Sequence, residues 1–134
     1  MKITRVLYVE DDPTLSAIVS NLLNSREELD VVTVYSSGEA LDKASNQVFQ
    51  VALLDISLGA ESLSGIELAH QIRKIHPQMG IVFFSQYSES ANPKTKDDYF
   101  MGWSTIAKSG NLDGEHISKV LVDSAKGISH REEK

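Results

Sequence analysis

Three consecutive acids, Glu10, Asp11 and Asp12, follow an apolar stretch that ends at Val9, and Asp55 follows the apolar run Val51–Leu54. Ser85 comes directly after Ile81–Phe84, and Lys108 directly after Trp103–Ala107. Oxygen ligands of this kind suit Mg²⁺, which takes one or two carboxylates and completes its octahedron with waters or phosphate oxygens. Asp11 and Asp55 would supply those carboxylates. Without a cation, neighbouring acids repel one another, which disfavours full ionisation. A carboxylate such as Asp55 can also act as a nucleophile and form an aspartyl phosphate. Ser85 would then donate a hydrogen bond to one phosphoryl oxygen, and the Lys108 ammonium would pair with another. Taken singly, each of these residues reads as a helix cap, a solvated loop acid or a polar strand end. The set taken together is what argues for chemistry.

The elements that must position this set are legible in the hydrophobic pattern. Five short runs rich in β-branched and aromatic residues predict strands over Ile3–Val9, Val31–Tyr35, Val51–Leu54, Ile81–Phe84 and Trp103–Ala107. The third and fourth lack polar alternation, as expected for strands covered on both faces. Leu15, Ile18, Val19, Leu22 and Leu23 form one helical stripe, Leu68, Ala69, Ile72 and Ile75 a second, and Ile117, Val120 and Leu121 a third. A shorter helix over about Gly38–Ser45 begins after Ser36, with Glu39 placed as in a capping box. Asn92-Pro93 reads as an N-cap followed by proline at the first helical position, and so does Asp12-Pro13. Asp12 is therefore expected to cap a helix, which leaves Asp11 to point into the site. The order is (βα)5, with crossovers suited to a parallel sheet between two helical layers. Ligands of such sheets bind at the carboxyl ends of the strands. Glu10-Asp11, Asp55, Ser85 and Lys108 all fall there, while Tyr35-Ser36 brings no charge.

Composition narrows the function classes. The chain has 134 residues, 41% hydrophobic and 24% charged, which fits one domain with a single core. Its formal net charge is −6, and no basic run is long enough to grip a phosphate backbone, so nucleic-acid binding by this chain is not expected. The absence of cysteine rules out disulfides, thiolate nucleophiles and Cys-based zinc sites. No apolar segment is long enough for a signal peptide or a membrane span, and the expectation is a soluble cytoplasmic protein. His70, His76, His116 and His130 show no ligand spacing with one another or with the acids and read as surface residues; Trp103 reads as packing.

The motifs "VLYVEDD", "VALLDISL", "VFFS" and "IAKSG", in this order and spacing, resemble the receiver domain of two-component response regulators over essentially the whole chain. The resemblance implies an α/β fold, a doubly wound five-stranded parallel sheet with the flavodoxin-like strand order 2-1-3-4-5. It implies that Asp55 accepts a phosphoryl group from a sensor histidine kinase or phosphotransfer protein. Mg²⁺, with Mn²⁺ as a substitute, would be held by Asp11, Asp55 and the backbone carbonyl of Ser57, with Glu10 acting through water. Ser85 would be the switch hydroxyl, Lys108 the phosphate-sensing lysine, and Thr105 would stand at the rotamer-switch position. The receiver would span residues 1–128, followed by a frayed polar tail over 129–134. Such a domain is a switch that phosphorylates and dephosphorylates itself rather than a turnover enzyme. Any homodimer would use the face made by the helix starting at Asn92-Pro93, the Trp103–Ala107 strand and the last helix.

Several positions depart from the family pattern. The loop after Asp55 has Gly59 where a proline is usual, and its glycine, Gly65, comes two residues late, so "GAESLS" reads as an insertion. Gln86 replaces a small residue next to Ser85, Ser109 replaces a proline in a cis bond, and Thr105 replaces an aromatic. These changes spare the acids but alter the relay. They favour, as the alternative function, a phosphorylation-independent pseudo-receiver acting as a protein interaction module. A Mg²⁺-dependent phosphohydrolase fits less well, because "DISL" lacks an acid two residues after Asp55. Flavin binding fits less well still, because the first strand ends in acids rather than in a hydroxyl- and glycine-rich loop. The stretches "GWS…AKS" and "AKG" also resemble receivers that precede a helix-turn-helix DNA-binding domain, which leaves a stand-alone receiver and a piece of a longer transcription regulator both open.

Overall fold

The computed structural model describes residues 2–56, 64–85, 103–107 and 112–128. Strands are β1 (Thr4–Val9), β2 (Leu29–Val34), β3 (Val51–Asp55), β4 (Gly80–Ser85) and β5 (Trp103–Ala107). Helices are α1 (Pro13–Asn24), α2 (Ser37–Asn46), α3 (Gly65–Ile75) and α4 (Gly114–Ala125). All pairings are parallel, and the sheet order is β2-β1-β3-β4-β5, as the family resemblance implies. The helix expected at Asn92-Pro93, the "GAES" part of the longer loop, and the tail lie outside the described residues.

Side-chain alternation along each strand divides the core into two halves. Leu7 and Val9 of β1 and Ala52 and Leu54 of β3 face one cluster, which Ala40 and Ala44 of α2 and Leu68, Ala69 and Ile72 of α3 cover. Val6 and Tyr8, with Val51 and Leu53, face the other, under Val19 and Leu23 of α1 and Ile117, Val120 and Leu121 of α4. Burial of β3 on both faces accounts for the unbroken apolar run Val51–Leu54 that precedes Asp55. Extending the same alternation past Tyr8 and Leu53 puts Glu10 and Asp55 on the α1–α4 side of the sheet.

The structure departs from the sequence reading in five places, the first being that Ile75, at the end of the second expected stripe, is exposed while Leu68, Ala69 and Ile72 are buried. β2 begins two residues early, because Leu29 pairs with Thr4 and is buried, and it ends before Tyr35, which is half exposed. In α1 the buried line runs through Ser16, Val19 and Leu23, which leaves Ile18 of the expected stripe exposed. Ser36 caps α2 by accepting from Glu39 N–H, but the Glu39 carboxylate accepts from Tyr35 N–H rather than from Ser36 N–H, so the capping box is shifted by one residue. His76 is not a plain surface residue: it caps α3 and its Nε2 lies 2.7 Å from the Ala44 carbonyl, which ties α3 to α2.

Candidate functional site

Parallel pairing sets the strand ends side by side. Val9 is in register with Leu54, Asp55 with Phe84, and Ser85 with Ala107, so the carboxyl ends of these strands meet at one rim. There the carboxylates of Glu10, Asp11 and Asp55 each offer an oxygen, and those oxygens all lie within 4.8 Å of one another. Glu10 and Asp55 are buried and Asp11 is exposed, so the cluster opens to solvent on the Asp11 side. At such a separation two full charges repel by about 3 kcal/mol at an effective dielectric of about 20. A divalent cation would turn that repulsion into attraction. The donor set, hard oxygens with one open side, fits an ion that keeps several waters.

Each acid is held differently. Asp12 stands apart from the cluster as the N-cap of α1: its Oδ1 accepts from Thr14 N–H at 3.0 Å and Leu15 N–H at 3.3 Å, with Pro13 in the first turn. That cap fixes the direction in which the chain leaves the site. Glu10 donates its own N–H to the Val34 carbonyl at 3.1 Å, while its Oε2 accepts from Asp12 N–H at 3.3 Å and its Oε1 from the Tyr8 hydroxyl at 3.4 Å. Burial, followed by the charges of Glu10 and Asp55, pushes the Tyr8 hydroxyl well above the ordinary phenol range, so it is a neutral donor. Asp55 ends a fully buried strand, and α3 closes the loop behind it through Gly65 N–H to the Ile56 carbonyl at 2.8 Å.

The structure therefore brings Glu10, Asp11 and Asp55 together. Ser85 lies on β4 in register with Ala107, and Thr105 on β5 in register with Phe83, but the side chains of Ser85 and Thr105 lie outside the described residues, as do Ser57, Gln86, Lys108 and Ser109 altogether. The sequence reading missed three features. Tyr8 was legible only as part of a greasy strand, although its place two residues before Glu10 puts its hydroxyl on the same face. The reciprocal Ser64–Glu67 capping box of α3 carries an S-x-x-E signal that could have found it. The close approach of Gly65 to the Asp55 backbone leaves no signal beyond the glycine itself. A cavity of about 430 Å³ lies at the opposite rim, lined by Thr4, Arg26, Glu28, Ser118 and Val122 among others. It shares no residue with the acid cluster.

Residues 6–99 match the family described as response regulator receiver domain. A protein-glutamate methylesterase/protein-glutamine glutaminase from Trichodesmium erythraeum is 27% identical across 95% of this chain, which covers 38% of that protein. The transcriptional regulatory protein CreB from Escherichia coli is 33% identical across 65% of this chain, covering 37% of its own length. This chain thus spans about two fifths of the curated relatives it matches. Among solved structures, the response regulator protein TrrA from Thermotoga maritima, in complex with Mg(2+)-BeF, superposes with a TM-score of 0.72 at 28% identity. That match covers 90% of this chain and 100% of TrrA.

Proposed function

The chain belongs to the response regulator receiver domain family, and from that premise we propose that it is a phosphoacceptor switch, taking a phosphoryl group onto Asp55 with Mg²⁺ bound alongside. The observation that carries this reading is the convergence of the Glu10, Asp11 and Asp55 carboxylates within 4.8 Å at the carboxyl ends of β1 and β3. That a Mg(2+)-BeF complex was solved on so similar a fold supports it.

On this reading Asp11 and Asp55 would hold the ion directly, with the Ser57 carbonyl, and Glu10 would order its waters. Bound there, the ion would neutralise charge on the acceptor and the incoming phosphoryl group. The protein's own part is positioning. An Asp55 carboxylate oxygen attacks phosphorus as the bond from phosphorus to the donor's imidazole nitrogen breaks, and the electron pair of that bond stays with the nitrogen. Ser85 and Lys108 are the groups we assign to the transferred oxygens, as a hydrogen-bond donor and a paired cation. The adduct's phosphoryl group carries about −1.5 to −2 charge in place of the single charge of the Asp55 carboxylate, at a rim that already carries acids, and its attraction for these groups is what would bias the β4–β5–α4 face.

The partners on this reading are a sensor histidine kinase or phosphotransfer protein, and a second copy of the chain through the face that includes β5 and α4. Transcriptional control is the output we propose for the whole protein, by likeness to CreB. Among the described residues no helix is long and apolar enough to cross a membrane, in keeping with a cytoplasmic switch.

Gln86, Thr105 and Ser109 favour a second reading, the pseudo-receiver that binds partners without phosphorylation. Incubation with a small-molecule phosphodonor and Mg²⁺ separates the two: a phosphoacceptor gains the mass of one phosphoryl group and a pseudo-receiver gains nothing. The rate carries its own prediction. Gln86 follows Ser85 at a position where the family usually has a small residue, so Gln86→Ala should phosphorylate faster than the parent. An unchanged or slower rate would show that the side chain stays clear of the phosphate's approach.

A further inference from the structure

Tyr8 lies fully buried in the half of the core beneath α1 and α4, among apolar neighbours that include Val6, Leu53, Phe84 and Ile117. A phenylalanine would fill that volume without the cost of taking a hydroxyl out of water. The hydroxyl's partner is Glu10 Oε1, 3.4 Å away and also fully buried, while Glu10 Oε2 accepts from Asp12 N–H at 3.3 Å. The two carboxylate oxygens are thus held from two sides, one by the strand beneath and one by the start of α1. At 3.4 Å the Tyr8 contact is long for a hydroxyl–carboxylate bond, so its value lies in orientation more than in strength.

We propose that Tyr8 is a positioning residue for the divalent-metal site, its hydroxyl fixing the Glu10 carboxylate in the orientation that orders the ion's waters. The inference rests on the reading of Glu10, Asp11 and Asp55 as the Mg²⁺ site. Outer partners of this kind orient the groups nearer the metal, and their loss ordinarily weakens metal binding. Glu10 and Asp55 are both buried while Asp11 is exposed, and of the two buried acids Glu10 is the one the Tyr8 hydroxyl contacts, at 3.4 Å.

Calorimetric titration with Mg²⁺ of the parent, Tyr8→Phe, Glu10→Gln, the double variant and Asp11→Asn tests it. Tyr8→Phe should raise the dissociation constant about fivefold, less than the roughly 10- to 100-fold for a partner of a direct ligand, because Glu10 itself acts through water. In the Glu10→Gln background the same change should shift the constant by less than about twofold, because the coupled partner has gone. Parent-like affinity in Tyr8→Phe, while Asp11→Asn loses binding, would overturn this inference and leave the metal site standing. An equal loss from Tyr8→Phe in both backgrounds would also overturn it, by showing that the hydroxyl acts through something other than Glu10. No Mg²⁺ binding by the parent would remove the metal reading and this inference together.

Discussion

Replacing Gly65 with alanine should destabilise the protein by about 3 kcal/mol and slow phosphorylation of Asp55 by about 10- to 100-fold. A Cβ at position 65 would lie 2.2 Å from the Asp55 carbonyl oxygen and 2.9 Å from both the Asp55 carbonyl carbon and the Ile56 Cα. Carbon and oxygen that are not bonded approach to about 3.3 Å, so α3 or the end of β3 would have to move by about 1 Å. Neither gives easily. Gly65 N–H is committed to the Ile56 carbonyl at 2.8 Å, the Ser64–Glu67 capping box fixes the first turn of α3, and Leu68, Ala69 and Ile72 anchor its buried face. The displacement therefore falls on the backbone that carries the Asp55 carboxylate, the proposed acceptor, where about 1 Å is enough to spoil an aligned attack. Denaturant unfolding reads the first effect and phosphodonor kinetics the second. Stability within about 0.5 kcal/mol of the parent would show that the start of α3 shifts without resistance.

Asp11→Asn should nearly abolish the response to Mg²⁺, whereas Asp12→Ala should keep that response and lose about 1 kcal/mol of stability. The two acids are adjacent, yet one contributes an oxygen to the cluster and the other caps α1 through Thr14 N–H and Leu15 N–H. In the parent, Mg²⁺ at ten times its dissociation constant should add about 1.4 kcal/mol, because binding to the folded state alone stabilises by RT ln(1 + [L]/Kd). Asp11→Asn should lose that increment. Its metal-free form should unfold no earlier than the parent, and later if the charge removed was repelling Glu10 and Asp55. Thermal unfolding of both variants with and without Mg²⁺ distinguishes the two roles. Loss of the Mg²⁺ response in Asp12→Ala but not in Asp11→Asn would mean that the ligand and the cap have been assigned the wrong way round.

The parts of this molecule that were legible in the sequence are those that one-dimensional patterns encode. Unbroken apolar runs at Val51–Leu54 and Ile81–Phe84 announced strands buried on both faces, and Asp12-Pro13 announced a cap. The strand order came from family resemblance, since periodicity says nothing about which strands are neighbours. The acids could be assigned to one rim because parallel strands all end on the same side. What stayed hidden depends on contacts through space. Ile18 fits the α1 stripe by spacing, but the helix is rotated so that Ser16 lies inward and Ile18 outward. Tyr8 satisfies the pattern of a buried strand whether or not its hydroxyl meets Glu10. Gly65 was legible as a loop glycine, but the reason for it, the Asp55 backbone at its α-carbon, exists only in the fold.

The central claim is that Asp55 is the acceptor and that the neighbouring acids serve it through a metal ion. Intact mass spectrometry of the parent and Asp55→Asn after incubation with a small-molecule phosphodonor, with Mg²⁺ or with a chelator, tests it most directly. The parent with Mg²⁺ should gain one acid-labile phosphoryl group. The parent with chelator and Asp55→Asn under either condition should gain none. An adduct of equal yield in Asp55→Asn, or one formed equally well in chelator, would contradict the account.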